Sequence, residues 1–240
     1  MIMWLLRWIA DAFAAKVRTE FGREVRQLGE LYRADAKAEG DTIVLGGWEL
    51  RGGEGTAGAR WYSLRLSRAE IPWAYTRGDP FRSIAALALL ATLVCILAFG
   101  PREEHTTGAQ IALTASGDNQ SNGFTLDKLS STKCPLYLVL MELSEQLRLR
   151  NIALSVAWRP RDENEEADAF TKQCFGAVCP QRRIHLQWSD LSFLVLPQLA
   201  QAAEVHFAEL RALKASAASR PPPAPRTGAA RAPLREREPW

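Results

Sequence analysis

Residues 152–172 read Ile-Ala-Leu-Ser-Val-Ala-Trp-Arg-Pro-Arg-Asp-Glu-Asn-Glu-Glu-Ala-Asp-Ala-Phe-Thr-Lys. Ile152 to Trp158 is a strand candidate, because it is short and mostly apolar. Arg159-Pro160-Arg161 breaks it, and Asn164 to Lys172 reads as a helix. Upstream, Ile111 to Asp118 is another short apolar run, and it ends in an acid. Asn119 to Lys133 is polar and helix-prone in its middle, and Pro135 opens a long helix to about Arg150. Further upstream, Ala34 to Leu66 carries short β-rich segments, Ile43-Val-Leu running into Gly46-Gly-Trp48 and then Trp61 to Leu66, with glycine turns between them at 52–53 and 55. Such a segment reads as an antiparallel meander. Pro72, Gly78 and Pro80 mark a loop, and an apolar helix, Ile84–Phe99, starts after Ser83 as its cap. The order is thus three meander strands, then alternating helices and strands. That order predicts an α/β fold with a mixed five-stranded sheet covered by helices on both faces.

The flanks are less regular. Residues 1–30 repeat apolar side chains at three- and four-residue steps and read as a helix. Arg7 and Asp11 interrupt the apolar N-terminus, which argues against a signal peptide. Residues 31–175 form the expected domain, 176–215 an extension with a helix, and 216–240 a Pro/Ala/Arg-rich tail expected to be disordered. The run Ile84–Phe99 has 16 residues with only Thr92 polar. A spanning helix needs about 20 residues, so a core helix is the first reading and a membrane anchor the alternative. Formal net charge is +3, which permits contact with nucleic acid without arguing for it. Of four cysteines only Cys174 and Cys179 are close, at a spacing too wide for a zinc knuckle and with no second pair. Reduced thiols and an intracellular setting, nuclear or cytoplasmic, follow as the expectation.

Three acids sit where such a sheet would gather them. Asp35 is placed at the start of the first strand, Asp118 at the end of the fourth, and Asp168 in the helix after the last. Ligands of open sheets collect outside the carboxyl ends of strands. Carboxylates clustered there repel one another unless they share hard cations such as magnesium. Two such ions about 4 Å apart can hold a scissile phosphate and generate a hydroxide. Each acid alone has a plainer reading: a strand-end carboxylate, a turn or helix cap, an exposed helix acid. Their order within one strand and helix pattern favours the shared metal site. Lys128, Lys133, Arg159 and Arg161 are candidate contacts to a nucleic-acid backbone. Trp48 and Trp61 read as packing residues rather than stacking platforms.

Four segments together resemble a known family: Asp118-Asn-Gln-Ser-Asn, Lys128 to Leu136, Leu140-Met-Glu-Leu, and Trp158 to Asp168. They resemble the ribonuclease H-like domain, in the version fused to reverse transcriptases of tyrosine-recombinase-type retroelements in protists. Asp35-Ala-Lys-Ala-Glu-Gly and Gly46-Gly-Trp-Glu resemble its first two strands, and the likeness runs from about residue 30 to about 200. Asn164-Glu-Glu-Ala-Asp-Ala is its most specific part. The resemblance implies cleavage of RNA in an RNA·DNA hybrid by two magnesium or manganese ions. It implies Asp35, Asp118 and Asp168 as catalytic, metal-binding residues, and an ancestral fusion to a polymerase. Residues 1–30 would then be a remnant of the connection to it. No Tyr-x-Asp-Asp polymerase turn is present.

One position departs from the family. Its second carboxylate is a Glu within a pattern like Ile-Ala-Ala-Leu-Glu-Leu-Leu, and this chain reads Ile84-Ala-Ala-Leu-Ala88-Leu-Leu90. Ala88 cannot ligate a cation, so metal affinity should weaken and hydrolysis fall by orders of magnitude. The loss also explains the apolar run, which a Glu would interrupt. Glu49 and Glu70 have no spacing that recommends them as substitutes. The family's loop His is missing, and His185 and His206 lie outside the matching core. The expectation is a ribonuclease H-like domain with absent or vestigial activity. A non-catalytic nucleic-acid or protein-binding module and a small membrane protein are the alternatives.

Overall fold

The computed structural model describes residues 6, 7, 10, 25–50, 55–76, 78–101 and 110–218. Five strands form one sheet: β1 (Val25–Glu39), β2 (Thr42–Glu49), β3 (Trp61–Leu66), β4 (Gln110–Gly117) and β5 (Ile152–Trp158), in the order β3-β2-β1-β4-β5. β1, β2 and β3 are antiparallel neighbours, and β4 and β5 add in parallel. This is the mixed five-stranded sheet the sequence predicts. The longer helices among the described residues are α1 (Ile84–Phe99), α2 (Gln120–Lys128), α3 (Leu136–Leu149), α4 (Glu165–Thr171) and α5 (Leu196–Ala218).

Two adjacent glycines set the layers. Consecutive strand residues point to opposite faces. A Cβ on Gly46 would stand 2.7 Å from Phe170 Cβ and 2.9 Å from the Ala167 carbonyl of α4. A Cβ on Gly47 would stand 2.5 Å from Cys95 Sγ of α1. Two helices therefore approach β2 from opposite sides at positions where only glycine leaves room. On the α4 side Trp48, Ala59, Trp61, Ala167, Phe170 and Val178 form a core, with Trp61 and Phe170 rings stacked at 5.2 Å. On the α1 side the Tyr62 hydroxyl donates to the Ala91 carbonyl at 2.7 Å. Trp48 and Trp61 are thus packing residues, as their sequence context suggests.

Pro80–Phe99 is long and apolar enough to cross a membrane by length and composition. In this fold every residue from Ala86 to Ile96 except Ala88 is buried. α1 is the central helix of its layer, packed on β1, β2 and α3, so its apolar surface is already covered. Ser83 occupies the N-cap position, but its hydroxyl makes no capping bond and donates instead to the Ala74 carbonyl at 2.9 Å.

The helix expected over residues 1–30 is contradicted at its end, since Val25–Glu30 is strand, paired in parallel with β4. Residues 1–5, 8, 9 and 11–24 of that expectation lie outside the described residues, as do residues 219–240 of the expected tail. Ser216–Ala218 finish α5 rather than begin the tail. Contacts divide the chain into two compact units, Met1–Glu204 and Val205–Trp240. The sheet lies in the first, where residues 176–204 also belong. There the Ile184 N–H donates to the Trp61 carbonyl and the Trp61 indole donates to the Cys179 carbonyl, at 2.8 and 2.9 Å. Of the second unit the described part is helical, with Val205 and Leu213 exposed.

Candidate functional site

Asp35 is not at the start of its strand, as the sequence suggests, but eleventh of the fifteen residues of β1. The parallel register pairs Arg33 with Ser116. Two residues further on, Asp35 therefore stands beside Asp118, just past the end of β4. Strand alternation turns both to one face. Asp118 is held there from two sides: the Trp158 indole donates to its carbonyl at 3.0 Å, and the Arg159 N–H donates to the Gly117 carbonyl at 3.0 Å. Asn119, not Asp118, caps α2, accepting from the Ser121 N–H at 3.2 Å.

Asp168 reaches the same end of the sheet because α4 lies against Gly46, the β2 partner of Asp35. Thr171 links the two acids. Its hydroxyl lies 3.3 Å from Asp35 Oδ2 and 2.8 Å from the Asp168 carbonyl. Buried Asn164 donates to the Ala34 carbonyl at 3.3 Å and so fastens the entry to α4 onto β1.

The three carboxylates differ in state. Asp35 is 6% exposed. Burial, reinforced by the charges of Asp118 and Asp168, pushes its pKa up to about 7. For Asp168, burial pushes the same way but is outweighed. Lys172 and Arg161 both donate to its carboxylate and hold it below the usual range. Arg161 Nη2 is 2.6 Å from Oδ1, and Lys172 Nζ bonds Oδ2.

Asp35 and Asp118 open onto a cleft of about 430 Å³. Lys37, Glu39, Phe81, Ile84, Ala88 and Arg161 also line it, with Glu39 paired to Lys37 at 2.8 Å. Ile84 and Ala88 are one helical turn apart, so the face of α1 turned to the acids carries only hydrocarbon. Ala88 thus stands where the resemblance calls for a carboxylate. Neither suggested substitute turns that way. Glu49 bonds Arg60 at 2.6 Å, and Glu70 accepts from the Ser67 N–H and hydroxyl at 2.7 and 2.6 Å. His185 and His206 are not among the lining residues.

Magnesium or manganese at this site requires several anionic oxygens converging on one point. Both oxygens of Asp168 are bonded to cations, and Ala88 supplies no oxygen at all. Among the described residues no three His, Cys, Asp or Glu side chains are placed to hold a metal ion together. These residues do not fit a two-metal centre.

The proposed backbone contacts divide into two kinds. Arg159 grips Glu30 with two bonds, at 3.0 and 2.7 Å, and also bonds Glu163 at 3.0 Å. Arg161 is on Asp168. Both arginines are therefore already paired with acids of this chain. Lys128 and Lys133 are exposed and form no ion pair with a described residue. Sequence reasoning missed Lys172, Thr171 and Phe81. Lys172 carried a signal: an acid four residues before a base on one helix.

No family model matches this sequence, and no curated protein matches it. Among solved structures, the chain is similar to the RNase H1 of the halophilic archaeon Halobacterium salinarum, with a TM-score of 0.41 and 19% identity over 62% of this chain and 98% of that one. It is also similar to the N-terminal RNase H domain of a Mycobacterium tuberculosis protein, solved as a fusion with maltose binding protein. There the TM-score is 0.37 and the identity 12%, over 63% of this chain and 94% of that one.

Proposed function

We propose that this chain is a ribonuclease H-like nucleic-acid-binding domain, descended from a retroelement reverse transcriptase, that no longer hydrolyses its substrate. The observation that carries the loss is the cleft wall. Asp35 and Asp118 face a helix surface of Ile84 and Ala88, and no carboxylate from α1 joins them. A water in that cleft lacks the carboxylate that the helix would contribute to orienting and deprotonating it. Retention of binding is supported by the sequence likeness from about residue 30 to 200, by the sheet topology, and by exposed Lys128 and Lys133. The retroelement descent rests on the four matching segments alone.

The test uses the full chain with a labelled RNA·DNA hybrid. Binding is followed across a salt series, and cleavage is followed with magnesium and with manganese. The expected result is binding that weakens steeply as salt rises, with no cleavage above background. Magnesium-dependent cleavage by the unmodified chain would overturn the loss of hydrolysis. Absence of salt-sensitive binding would overturn the nucleic-acid reading.

A further inference from the structure

Asp168 is the one acid of the three with a full set of cationic partners, and both come from its own neighbourhood. Lys172 lies one turn later at the C-cap of α4, and Arg161 lies in the segment that precedes the helix. Each takes a different carboxylate oxygen. The Asp168 side chain is only 14% exposed, whereas Arg161 and Lys172 are 70% and 48% exposed. The cations therefore close over the carboxylate from the solvent side, where an ion would have to enter. Arg161 also lies close enough to interact with the charges of Asp35 and Asp118, and it lines their cleft.

We propose that Arg161 and Lys172 are resident counter-ions of Asp168, taking the electrostatic place of a divalent metal and keeping one out. The inference deepens the proposed loss of hydrolysis and rests on that reading of the cleft. A divalent ion approaching Asp168 must displace a guanidinium and an ammonium from the two oxygens it needs, and it meets their positive field on the way. Two point charges held by short local connections are always at hand, so they compete at high effective concentration. The missing Glu at position 88 and the covered Asp168 are then two separate barriers to metal loading.

The test measures Mn2+ binding to the full chain by the electron paramagnetic resonance signal of free Mn2+, at low ionic strength. The chains compared are the unmodified protein, Arg161→Gln/Lys172→Gln, and that pair combined with Asp168→Asn. The expected result is at least tenfold tighter Mn2+ binding by the double variant, returning to the unmodified value when Asp168→Asn is added. Equal affinity of the double variant and the unmodified chain overturns the proposal. So does a gain that survives Asp168→Asn, since it would come from net charge rather than from this carboxylate. Should the double variant fail to fold, Lys172→Gln alone carries the comparison, with a gain of about threefold expected and no gain overturning the proposal. The Mn2+ affinities bear only on the counter-ions, whereas hybrid cleavage by the unmodified chain bears on the loss of hydrolysis, so the two failures are distinguishable.

Discussion

Among single residues, Asp35 makes stability depend on pH. Its pKa rises from the ordinary carboxylate value to about 7 because it is buried beside Asp118 and Asp168. The native state therefore holds a proton that the unfolded chain releases near pH 4. A carboxyl raised in the folded state lowers stability as pH climbs. The penalty is absent below about pH 4 and complete above about pH 7. Asp35→Asn removes the ionisable group and keeps the shape. In metal-free buffer it should raise stability by about 4 kcal/mol at pH 8 and leave it nearly unchanged at pH 4, as read by urea unfolding at both pH values. An equal effect at both pH values would refute the assignment. Glu142 makes the contrast, since its buried carboxylate is fully used. It accepts from the N–H groups of Leu194, Val195 and Leu196 at 3.0, 2.7 and 2.8 Å and from the Gln146 amide at 2.8 Å. Glu142→Ala strands the buried Val195 and Leu196 donors and the part-buried Leu194 donor and should cost about 3 kcal/mol, measured as a lower urea midpoint.

Among elements, the close approach of α4 to β2 decides whether Asp168 reaches the site. Gly46→Ala would force the helix off the sheet or strain it, at a cost of about 2 kcal/mol. It should also loosen the Thr171 link between Asp168 and Asp35. Hydrogen exchange of the α4 amides would report this as faster exchange than in the unmodified chain, and unchanged exchange would count against it. The elements show why part of the fold was legible in sequence and part was not. β5 and α1 run over the residues their composition marks, because one is a compact apolar run bounded by a proline break and the other an unbroken apolar helix. The start of β1 was not legible. Gly29 has φ +70°, and the register against β4 shifts between Gln27 and Glu30 and again before Tyr32. A bulge breaks the period of two, and the surrounding apolar spacing then imitates a helix. In the site, the three acids and Ala88 could be found because each sits in a local motif. The clasp on Asp168 was only half visible: Lys172 follows from helix spacing, whereas Arg161 depends on how the loop turns, which no period encodes.

For the whole molecule, net charge is a poor guide to the nucleic-acid surface. The chain carries 30 Lys and Arg against 27 Asp and Glu, so the excess is small. What matters is which cations are already committed. Arg159 is bound to Glu30 and Glu163, Arg161 and Lys172 to Asp168, and Arg60 to Glu49. Lys128, the last residue of α2, and Lys133, in the loop before α3, have no such acid among the described residues and stand in solvent. Each phosphate neutralised by a free cation contributes about 0.9 to the slope of log affinity against log salt on duplex DNA. Lys128→Ala/Lys133→Ala should therefore lower that slope by about 1 to 2 for the hybrid and weaken binding about tenfold at low salt, with the unfolding midpoint unchanged. Arg159→Ala should do the reverse. It leaves Glu30 half-buried without its bidentate partner, so the midpoint falls while the salt slope stays as it was. The crossed pattern separates cations that hold the fold from cations that meet the ligand. A salt slope lowered by Arg159→Ala but not by the lysine pair would move the binding face away from α2 and onto the β5 loop.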